Sequence, residues 1–411
     1  MVYNKYIFKG VRTMDIIERF KKYIAIDTMS DEESTTFPST KEQIQFAKIL
    51  VEDLHELGLK NAYLDEFGYV YGRIDANKEK TIGLIAHMDT APSFQGGCKD
   101  VLEINNYDGE NITLKSGDVV STKEFWFLRL LKGEDLIFTD GYHLLGGDDK
   151  AGIAIIFDVV DYFLHHQEEL TYNLAICFTP DEEIGLGASK FDVKKMDANI
   201  AFTIDGGPIN YANYENFNAA SAKVKIKGVN VHPGSAKNIM VNSTLLAIEF
   251  NNLLPKDMIP SKTEDYEGFI HLEEIKGDVN ETTLSYILRD HDLDLLDKKK
   301  LMIVNAVKTI LKKYPTSQIT YTIKDSYLNM GPYMIKHPEA IELINKAYLK
   351  SQEKIMFVPI RGGTDGATIT YMGLPCPNLG TGGFNCHGKY EFVSVTQMKK
   401  MVNILKNLLT L

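Results

Sequence analysis

Apolar residues recur with two different periods along most of the chain, and each period predicts a type of element. Short, nearly continuous apolar runs predict buried strands at 62–65, 69–74, 81–86, 174–178 and 199–204. Apolar residues at helical spacing predict helices at 15–26, 39–57, 153–164, 337–351 and 395–409. Because strands and helices alternate in the first half, this part of the chain has the pattern of an α/β fold with a mixed, largely parallel central sheet flanked by helices.

Two segments of this α/β part carry further local signals. Ser39-Thr40-Lys41-Glu42 has the sequence of a capping box, which opens a helix that runs to about Leu57 and ends at Gly58. The polar stretch from Pro92 to Leu136 has no clear period and is too long for a plain connection. We therefore expect that stretch to be a surface excursion with some strand content.

The pattern changes near Asn218. Residues 222–227 alternate, with Val224 and Ile226 between lysines, as in a half-exposed strand. The elements predicted next are a helix at 241–254, strands at 269–275 and 283–289, a helix at 293–313 and a strand at 318–324. This β-α-β-β-α-β order is the ferredoxin-like motif. We interpret it as an inserted domain, which divides the chain into 1–216, 217–327 and 328–411.

The composition of the chain limits which partners the protein can bind and in which compartment we expect it. The 411 residues include 45 Lys and Arg against 56 Asp and Glu, a net charge of −11, which argues against binding to a phosphate backbone. The four cysteines are scattered without CxxC spacing, so we expect neither a disulfide framework nor a thiolate zinc site. No apolar run approaches the about 20 residues that span a bilayer, and the first 13 residues lack the apolar core of a signal peptide. We expect a cytoplasmic protein with no nucleic-acid or membrane partner.

Acidic and histidine residues follow the apolar runs where the predicted strands end. They are His87-Met88-Asp89, Asp181-Glu182-Glu183 and Asp205. Two more groups stand elsewhere: Asp148-Asp149, where two glycines lead into an apolar helix, and His387 in a Gly-rich loop. In parallel α/β sheets, ligands gather beyond the carboxyl ends of the strands. The agreement in position is the main reason to consider these residues together.

Each group also has an ordinary structural explanation. In chain order, these are a satisfied polar pair at His87 and Asp89, a helix cap at Asp148 and Asp149, a solvated acidic loop at Glu182 and Glu183, a turn residue at Asp205 and a loop histidine at His387. Taken singly, each ordinary explanation is the more frequent one. Taken together, two His, two Asp and one Glu have the composition of a hydrolytic site with two metal ions.

On this hypothesis Asp148 bridges two metal ions and the other groups complete the site. His87 is a ligand, and Asp89, on the same side of an extended segment, orients its ring. Adjacent carboxylates repel, and the repulsion raises one pKa unless a cation relieves it. One residue of the pair Glu182-Glu183 is therefore expected to bind metal while the other acts as a base.

Five strings of the chain resemble the peptidase T family, which comprises tripeptide aminopeptidases in the aminoacylase/carboxypeptidase branch of di-zinc exopeptidases. The strings are Ile85-Ala86-His87-Met88-Asp89-Thr90, Gly147-Asp148-Asp149-Lys150-Ala151-Gly152, Phe178-Thr179-Pro180-Asp181-Glu182-Glu183, Asn230-Val231-His232-Pro233-Gly234 and Arg361-Gly362-Gly363-Thr364-Asp365-Gly366. The resemblance extends from about Met14 to the end of the chain. It implies a zinc-exopeptidase-like fold, two zinc ions per subunit and a lid role for the inserted domain.

The resemblance also implies a role for each metal ligand. Asp148 would bridge both zinc ions. His87 and Asp205 would complete one metal site, and Glu183 and His387 would complete the other. At every one of these positions the chain agrees with the family pattern.

Further roles are implied for residues that do not bind metal. Glu182 would be the general base, and Asp89 would orient a metal-binding imidazole. The peptide bond between Asp148 and Asp149 would be cis. His232 and Arg289, in the inserted domain, resemble residues that stabilise the oxyanion and hold the substrate. The motif does not show whether His232 acts in the site of its own chain or of a partner.

The activity expected from the resemblance is release of the N-terminal residue from tripeptides, and the family pattern leaves room for a homodimer. Related enzymes with the same ligands are a dipeptidase, an N-acyl amino-acid hydrolase and a carboxypeptidase, because groups outside the metal site decide between substrates. A different class is a peptide-binding relative without catalysis. Such a protein should lack the base, whereas Glu182 is present.

Overall fold

The computed structural model describes residues 14–411, which form two compact units. The first unit contains the described residues up to Asn213, together with Tyr333–Phe357 and Ile369–Leu411. The second contains Tyr214–Pro332 and Val358–Thr368. The predicted insert, 217–327, lies within the second unit. As a statement about separately folding domains, the predicted division stays a prediction.

The helices and strands of the described residues are numbered in chain order. The helices are α1 (Ile16–Ile24), α2 (Lys41–Leu57), α3 (Gly147–His165), α4 (Val193–Met196), α5 (Ser243–Asn252), α6 (Leu293–Lys313), α7 (Gly331–Met334), α8 (Glu339–Lys350), α9 (Asp365–Tyr371) and α10 (Val395–Leu409). The strands are β1 (Tyr63–Leu64), β2 (Val70–Ile74), β3 (Thr81–His87), β4 (Leu102–Ile104), β5 (Ile112–Thr113), β6 (Val119–Val120), β7 (Leu136–Phe138), β8 (Asn173–Thr179), β9 (Ile200–Ile204), β10 (Tyr211–Asn213), β11 (Asn218–Lys227), β12 (Phe269–Gly277), β13 (Glu281–Asp290), β14 (Gln318–Asp325), β15 (Met356–Phe357), β16 (Asn378–Leu379), β17 (Gly383–Phe384) and β18 (Phe392–Ser394). Within residues 14–411, no helix combines the length and the apolar character needed to cross a bilayer.

The first unit is built on an eight-stranded sheet in the order β1-β2-β8-β3-β9-β16-β10-β15. Its centre, β8-β3-β9-β16, is parallel, whereas β1, β2 and the β10–β16 pair are antiparallel. Every residue of β3 and β8 is buried, as expected of central strands covered on both faces. The predicted α/β class with a mixed, largely parallel sheet is therefore confirmed.

The register of this sheet brings the site residues to one edge. His87, the last residue of β3, lies beside Thr179, the last residue of β8. On the other side of β3, Ile85 pairs with Thr203 near the end of β9. Because these parallel strands end at the same edge, the residues that follow them come together in space.

The capping box predicted at Ser39 does not form. Helix α2 begins one residue later than that box requires, with Thr40 at its N-cap, and the Thr40 side chain makes no capping bond. The Ser39 hydroxyl instead donates to the carboxylate of Asp181, and the Ser39 backbone N–H donates to the same carboxylate over 2.6 Å. The prediction was wrong because a buried carboxylate distant in sequence needs donors, and Ser39 supplies them.

The second unit contains a four-stranded antiparallel sheet in the order β12-β13-β11-β14. The elements follow in the order β11-α5-β12-β13-α6-β14, as the pattern predicted. Ala222, Val224 and Ile226 are buried beneath the helices, while the lysines between them point to the other face. Alternation along β11 therefore follows from burial of one face of the sheet.

Candidate metal centre

The five side chains predicted as metal ligands converge in the first unit, at the edge where β3, β8 and β9 end. His87 Nε2 lies 2.8 Å from Asp148 Oδ1 and 3.7 Å from Asp205 Oδ1. His387 Nε2 lies 3.0 Å from Glu183 Oε2 and 3.3 Å from Asp148 Oδ2. The two oxygens of Asp148 thus face two different imidazoles. An orientation with one oxygen toward each imidazole is compatible with a carboxylate that bridges two cations.

The turn that carries Asp148 is held by a residue far away in the chain. Glu391 is buried, and its two carboxylate oxygens accept the backbone N–H groups of Gly146 and Asp148 at 2.9 and 3.0 Å. Gly146 adopts a left-handed conformation with φ of 73°, which glycine tolerates without a steric cost. The peptide bond between Asp148 and Asp149 is cis, as the family resemblance implied.

Asp89 holds two parts of the site at once. Its side chain is fully buried, and its two oxygens accept the backbone N–H groups of Glu182 and Glu183 at 3.0 and 3.1 Å. One of those oxygens also lies 3.4 Å from His87 Nδ1. His87 Nδ1 also lies 3.2 Å from the backbone oxygen of Asp89. The Asp89 carboxylate thus lies beside one ring nitrogen of His87 and accepts from the turn that presents the two glutamates, while its role in orienting the ring stays a prediction.

Asp149 is a neighbour that the sequence did not assign to the site. It is fully buried and accepts the backbone N–H groups of His87 and Gly152 at 3.2 and 3.1 Å. Potential ligand atoms of His87, Asp149 and Asp205 lie within 4.8 Å of one another, as do those of His87, Asp148 and Glu183. The position of Asp149 beside Asp148 in the sequence was a sign that it could belong to the site, but a helix cap explained that position equally well.

Asp181 is a further buried carboxylate to which the sequence analysis assigned no role. It lies directly before the two glutamates, in a left-handed conformation with φ of 55°. Besides the two bonds from Ser39, it accepts a hydrogen bond from Gln43 Nε2 over 2.6 Å. Asp181 thereby ties the end of β8 to the start of α2, which positions the acidic turn.

The carboxylates of the cluster shift the pKa values of its two histidines. Burial alone would lower the pKa of His87, but hydrogen bonds to Asp148, Asp205 and Asp89 raise it well above its usual value. Hydrogen bonds to Asp148 and Glu183 raise the pKa of His387 to about 11. Both imidazoles thus act as cations that balance the carboxylates.

The pKa values of the carboxylates shift in opposite directions. Burial would raise the pKa of Asp148, but hydrogen bonds from His387 and His87 hold it well below its usual value. Burial and the charge of Asp148 raise the pKa of Glu183 to about 7 and also raise the pKa of Asp205. A carboxylate held ionised between neighbours that resist ionisation is the pattern expected where cations are to be bound.

The residues present fit a pair of divalent metal ions. The donors are imidazole nitrogens and carboxylate oxygens, which suit zinc, manganese and cobalt. Glu183 Oε1 is buried and has no hydrogen-bond partner among residues 14–411. A buried oxygen without a donor is costly, and a cation would satisfy it.

Comparison with known proteins is consistent with this geometry. The sequence model of peptidase family M20/M25/M40 matches residues 141–411, which is more than half of the chain. The chain belongs to this family. It is accordingly a hydrolase of the peptidase class.

Relatives named peptidase T match the chain over nearly its whole length. The one from Caldanaerobacter subterraneus subsp. tengcongensis is 48% identical over 403 residues, which are 96% of this chain and 98% of that protein. The one from Clostridium acetobutylicum is 45% identical over 97% of this chain and 98% of that protein. The family resemblance drawn from the five strings is therefore confirmed.

Solved structures of the family share the fold. An aminopeptidase PepT from Bacillus cereus aligns with a TM-score of 0.73 and 18% identity, over 96% of this chain and 97% of that one. The YXEP protein of Bacillus subtilis, described as a dinuclear metal binding peptidase from the M20 family, aligns with a TM-score of 0.64 and 12% identity, over 96% of each chain. At these identities the likeness confirms the M20 fold of this chain.

The two residues predicted to contact substrate lie in the second unit. His232 is exposed, and its Nδ1 accepts the backbone N–H of Gly234 over 3.1 Å. Arg289 lies on β13, with its guanidinium 5.2 Å from the centre of the Tyr327 ring. The roles of His232 and Arg289 in this M20 peptidase stay predictions.

Replacing Glu391 tests how the Asp148 turn is held. Glu391→Ala leaves two buried backbone N–H groups without an acceptor, so we expect the free energy of unfolding to fall by about 2–5 kcal/mol. Urea denaturation measures the change. Glu56→Ala, at an exposed position of α2, is the matched control and should change stability by less than about 0.5 kcal/mol. Equal stability of the two variants would contradict the role given to Glu391.

Proposed function

We propose that the chain is a metal-dependent aminopeptidase that releases the N-terminal residue from tripeptides. One observation of the structure carries this proposal: the carboxylate of Asp148 stands between His87 and His387 with one oxygen toward each. The relatives named peptidase T, at 45–48% identity, support the choice of substrate.

The five converging side chains would hold two metal ions, and we propose zinc. Asp148 would be shared, with His87 and Asp205 on one side and Glu183 and His387 on the other. When bound, such a pair supplies a water of lowered pKa and a Lewis acid for the peptide carbonyl.

The chain itself supplies the proton transfers. We assign Glu182 as the general base, which takes a proton from the attacking water and returns it to the leaving amine. Asp89 holds the Glu182 backbone in place through its hydrogen bond over 3.0 Å. His232 would stabilise the oxyanion and Arg289 would hold the substrate. A lid role of the inserted domain, a homodimer and a cytoplasmic location also belong to the proposal.

The substrate class is tested with three peptides: a free tripeptide, its N-acetylated form and a dipeptide, each with and without a chelator. We expect hydrolysis of the free tripeptide alone, with release of its N-terminal residue, and loss of activity in chelator. Cleavage of the acetylated form but not the free form would favour an N-acyl amino-acid hydrolase. Preference for the dipeptide would favour a dipeptidase, and activity that survives chelation would contradict the metal requirement.

Metal binding should release protons. In the metal-free protein the pKa of His387 is raised to about 11, so its imidazole is protonated throughout the neutral range. A metal ion requires the neutral imidazole, and its apparent affinity must therefore rise as pH rises toward 11. Calorimetric titration of chelator-treated protein with Zn²⁺, in two buffers of different ionisation enthalpy, measures the protons released.

We expect the His387→Gln variant to release fewer protons in this titration. His165→Gln, at an exposed position of α3, is the control and should match the unsubstituted protein. A binding enthalpy that is the same in both buffers would show that no proton leaves, contrary to the raised pKa.

A further inference from the structure

A cavity of about 560 Å³ lies in the first unit, at the sheet edge that carries the metal centre. It is lined chiefly by aromatic and aliphatic side chains, including Trp126, Phe127, Leu130, Tyr211 and Phe384. Its volume falls within the range of about 300–1,000 Å³ found for small-molecule sites. Most of these residues have no place in the metal chemistry described above.

Two residues in the cavity wall stand next to or near predicted metal ligands in the chain. Cys386, in its wall, directly precedes His387, and Gly207, also in the wall, follows Asp205 by two residues. The backbone segments that carry two of the predicted ligands therefore continue into the cavity. A peptide held with its backbone at the five predicted ligands would therefore have this cavity as a neighbouring surface for one of its side chains.

One wall of the cavity is built from stacked aromatic rings. The Phe127 ring stacks on Phe384 with ring centres 5.6 Å apart, and Phe384 stacks on Phe392 at 4.9 Å. Phe392 in turn stacks on the buried ring of Phe138 at 4.4 Å. This column of rings connects the wall to the core, so the apolar surface is formed before any ligand binds.

The rim is apolar but open to solvent. Trp126 is 64% exposed and Leu130 is 72% exposed. The one acidic residue in the lining, Glu134, already accepts hydrogen bonds from Ser394 Oγ at 2.6 Å and Gln397 Nε2 at 3.0 Å. The lining therefore favours an apolar group over a cation, and exposed apolar surface of this kind typically marks a binding site.

We propose that this cavity receives a large apolar side chain of the peptide substrate. The proposal rests on the proposed function, because it takes the occupant to be a peptide whose backbone lies at the metal centre. It assigns Trp126 and Leu130 as residues that determine side-chain preference.

Trp126 gives a direct readout, because it is the only tryptophan among the 411 residues. The experiment titrates the metal-loaded Glu182→Gln protein with Leu-Gly-Gly and with Gly-Gly-Gly while recording tryptophan emission. We expect a saturable shift to shorter wavelength with Leu-Gly-Gly and none with Gly-Gly-Gly. No shift with Leu-Gly-Gly, or the same shift with both peptides, would overturn the proposal.

A kinetic arm separates this proposal from the proposed function. Leu130→Asp places a charge on the rim, and we expect the ratio of kcat/KM for Leu-Gly-Gly to that for Gly-Gly-Gly to fall about tenfold or more. Leu349→Asp, at a leucine that is 79% exposed on α8, is the matched control. Equal kinetics of the Leu130 and Leu349 variants would overturn the side-chain pocket alone. Absence of cleavage of either peptide by the unsubstituted protein would overturn the tripeptidase function, while the emission titration would still report on the cavity.

Discussion

Glu182→Gln is expected to reduce kcat for tripeptide hydrolysis by about 10²–10⁴-fold or more, the range typical of a lost general base. The amide is nearly the same size as the carboxylate but does not accept a proton at neutral pH. The backbone of Glu182 is held by Asp89 in either case, since that bond uses the main-chain N–H. Steady-state kinetics with a free tripeptide measures the change.

Metal content and stability should stay unchanged in this variant, because Glu182 is not among the five predicted ligands. Glu56→Gln, at an exposed position of α2, is the matched control and should retain full activity. A Glu182→Gln protein that turns over at the normal rate would remove Glu182 from the chemistry. Unchanged peptide affinity in a protein that never had turnover would instead indicate a binding relative.

Asp148→Asn is expected to lose both metal ions together with activity. Its two oxygens lie 2.8 Å from His87 Nε2 and 3.3 Å from His387 Nε2, so a single substitution affects both halves of the site. An amide supplies one oxygen and no charge, and the loss of one bridging ligand should weaken each metal by at least about 100-fold. Metal analysis after gel filtration measures the ratio of metal to protein.

Two comparisons make this result specific. Asp257→Asn removes a carboxylate at an exposed position and should keep the full metal content. Asp205→Asn, which affects only the side of His87, should lower the ratio by about half on this account. If the Asp148 variant retained as much metal as the Asp257 variant, the bridging role would be wrong.

Much of the site could be predicted from the sequence because its residues follow strands. His87, Glu183 and Asp205 each stand just after a buried apolar run, and parallel strands bring such positions to one edge. The ferredoxin-like order of the second unit followed from the same reasoning, because β11 and β13 bury alternate residues. Patterns of this kind involve residues that are close in the chain, so they can be recognised in the sequence alone.

The parts that could not be predicted depend on contacts between distant segments. Glu391 holds the Asp148 turn across 243 residues, and Ser39 reaches Asp181 across 142. Neither residue belongs to a periodic pattern, and the capping-box sequence at Ser39 led to a wrong prediction. The aromatic cavity arises partly from the excursion at 92–136, where the absence of a period gave no indication of packing.

Anomalous diffraction from crystals of the zinc-loaded protein tests the central claim most directly. The account predicts two peaks that share Asp148, one beside His87 and Asp205 and the other beside Glu183 and His387. Peaks only at other positions, or no peak at these five side chains in a zinc-loaded crystal, would contradict it.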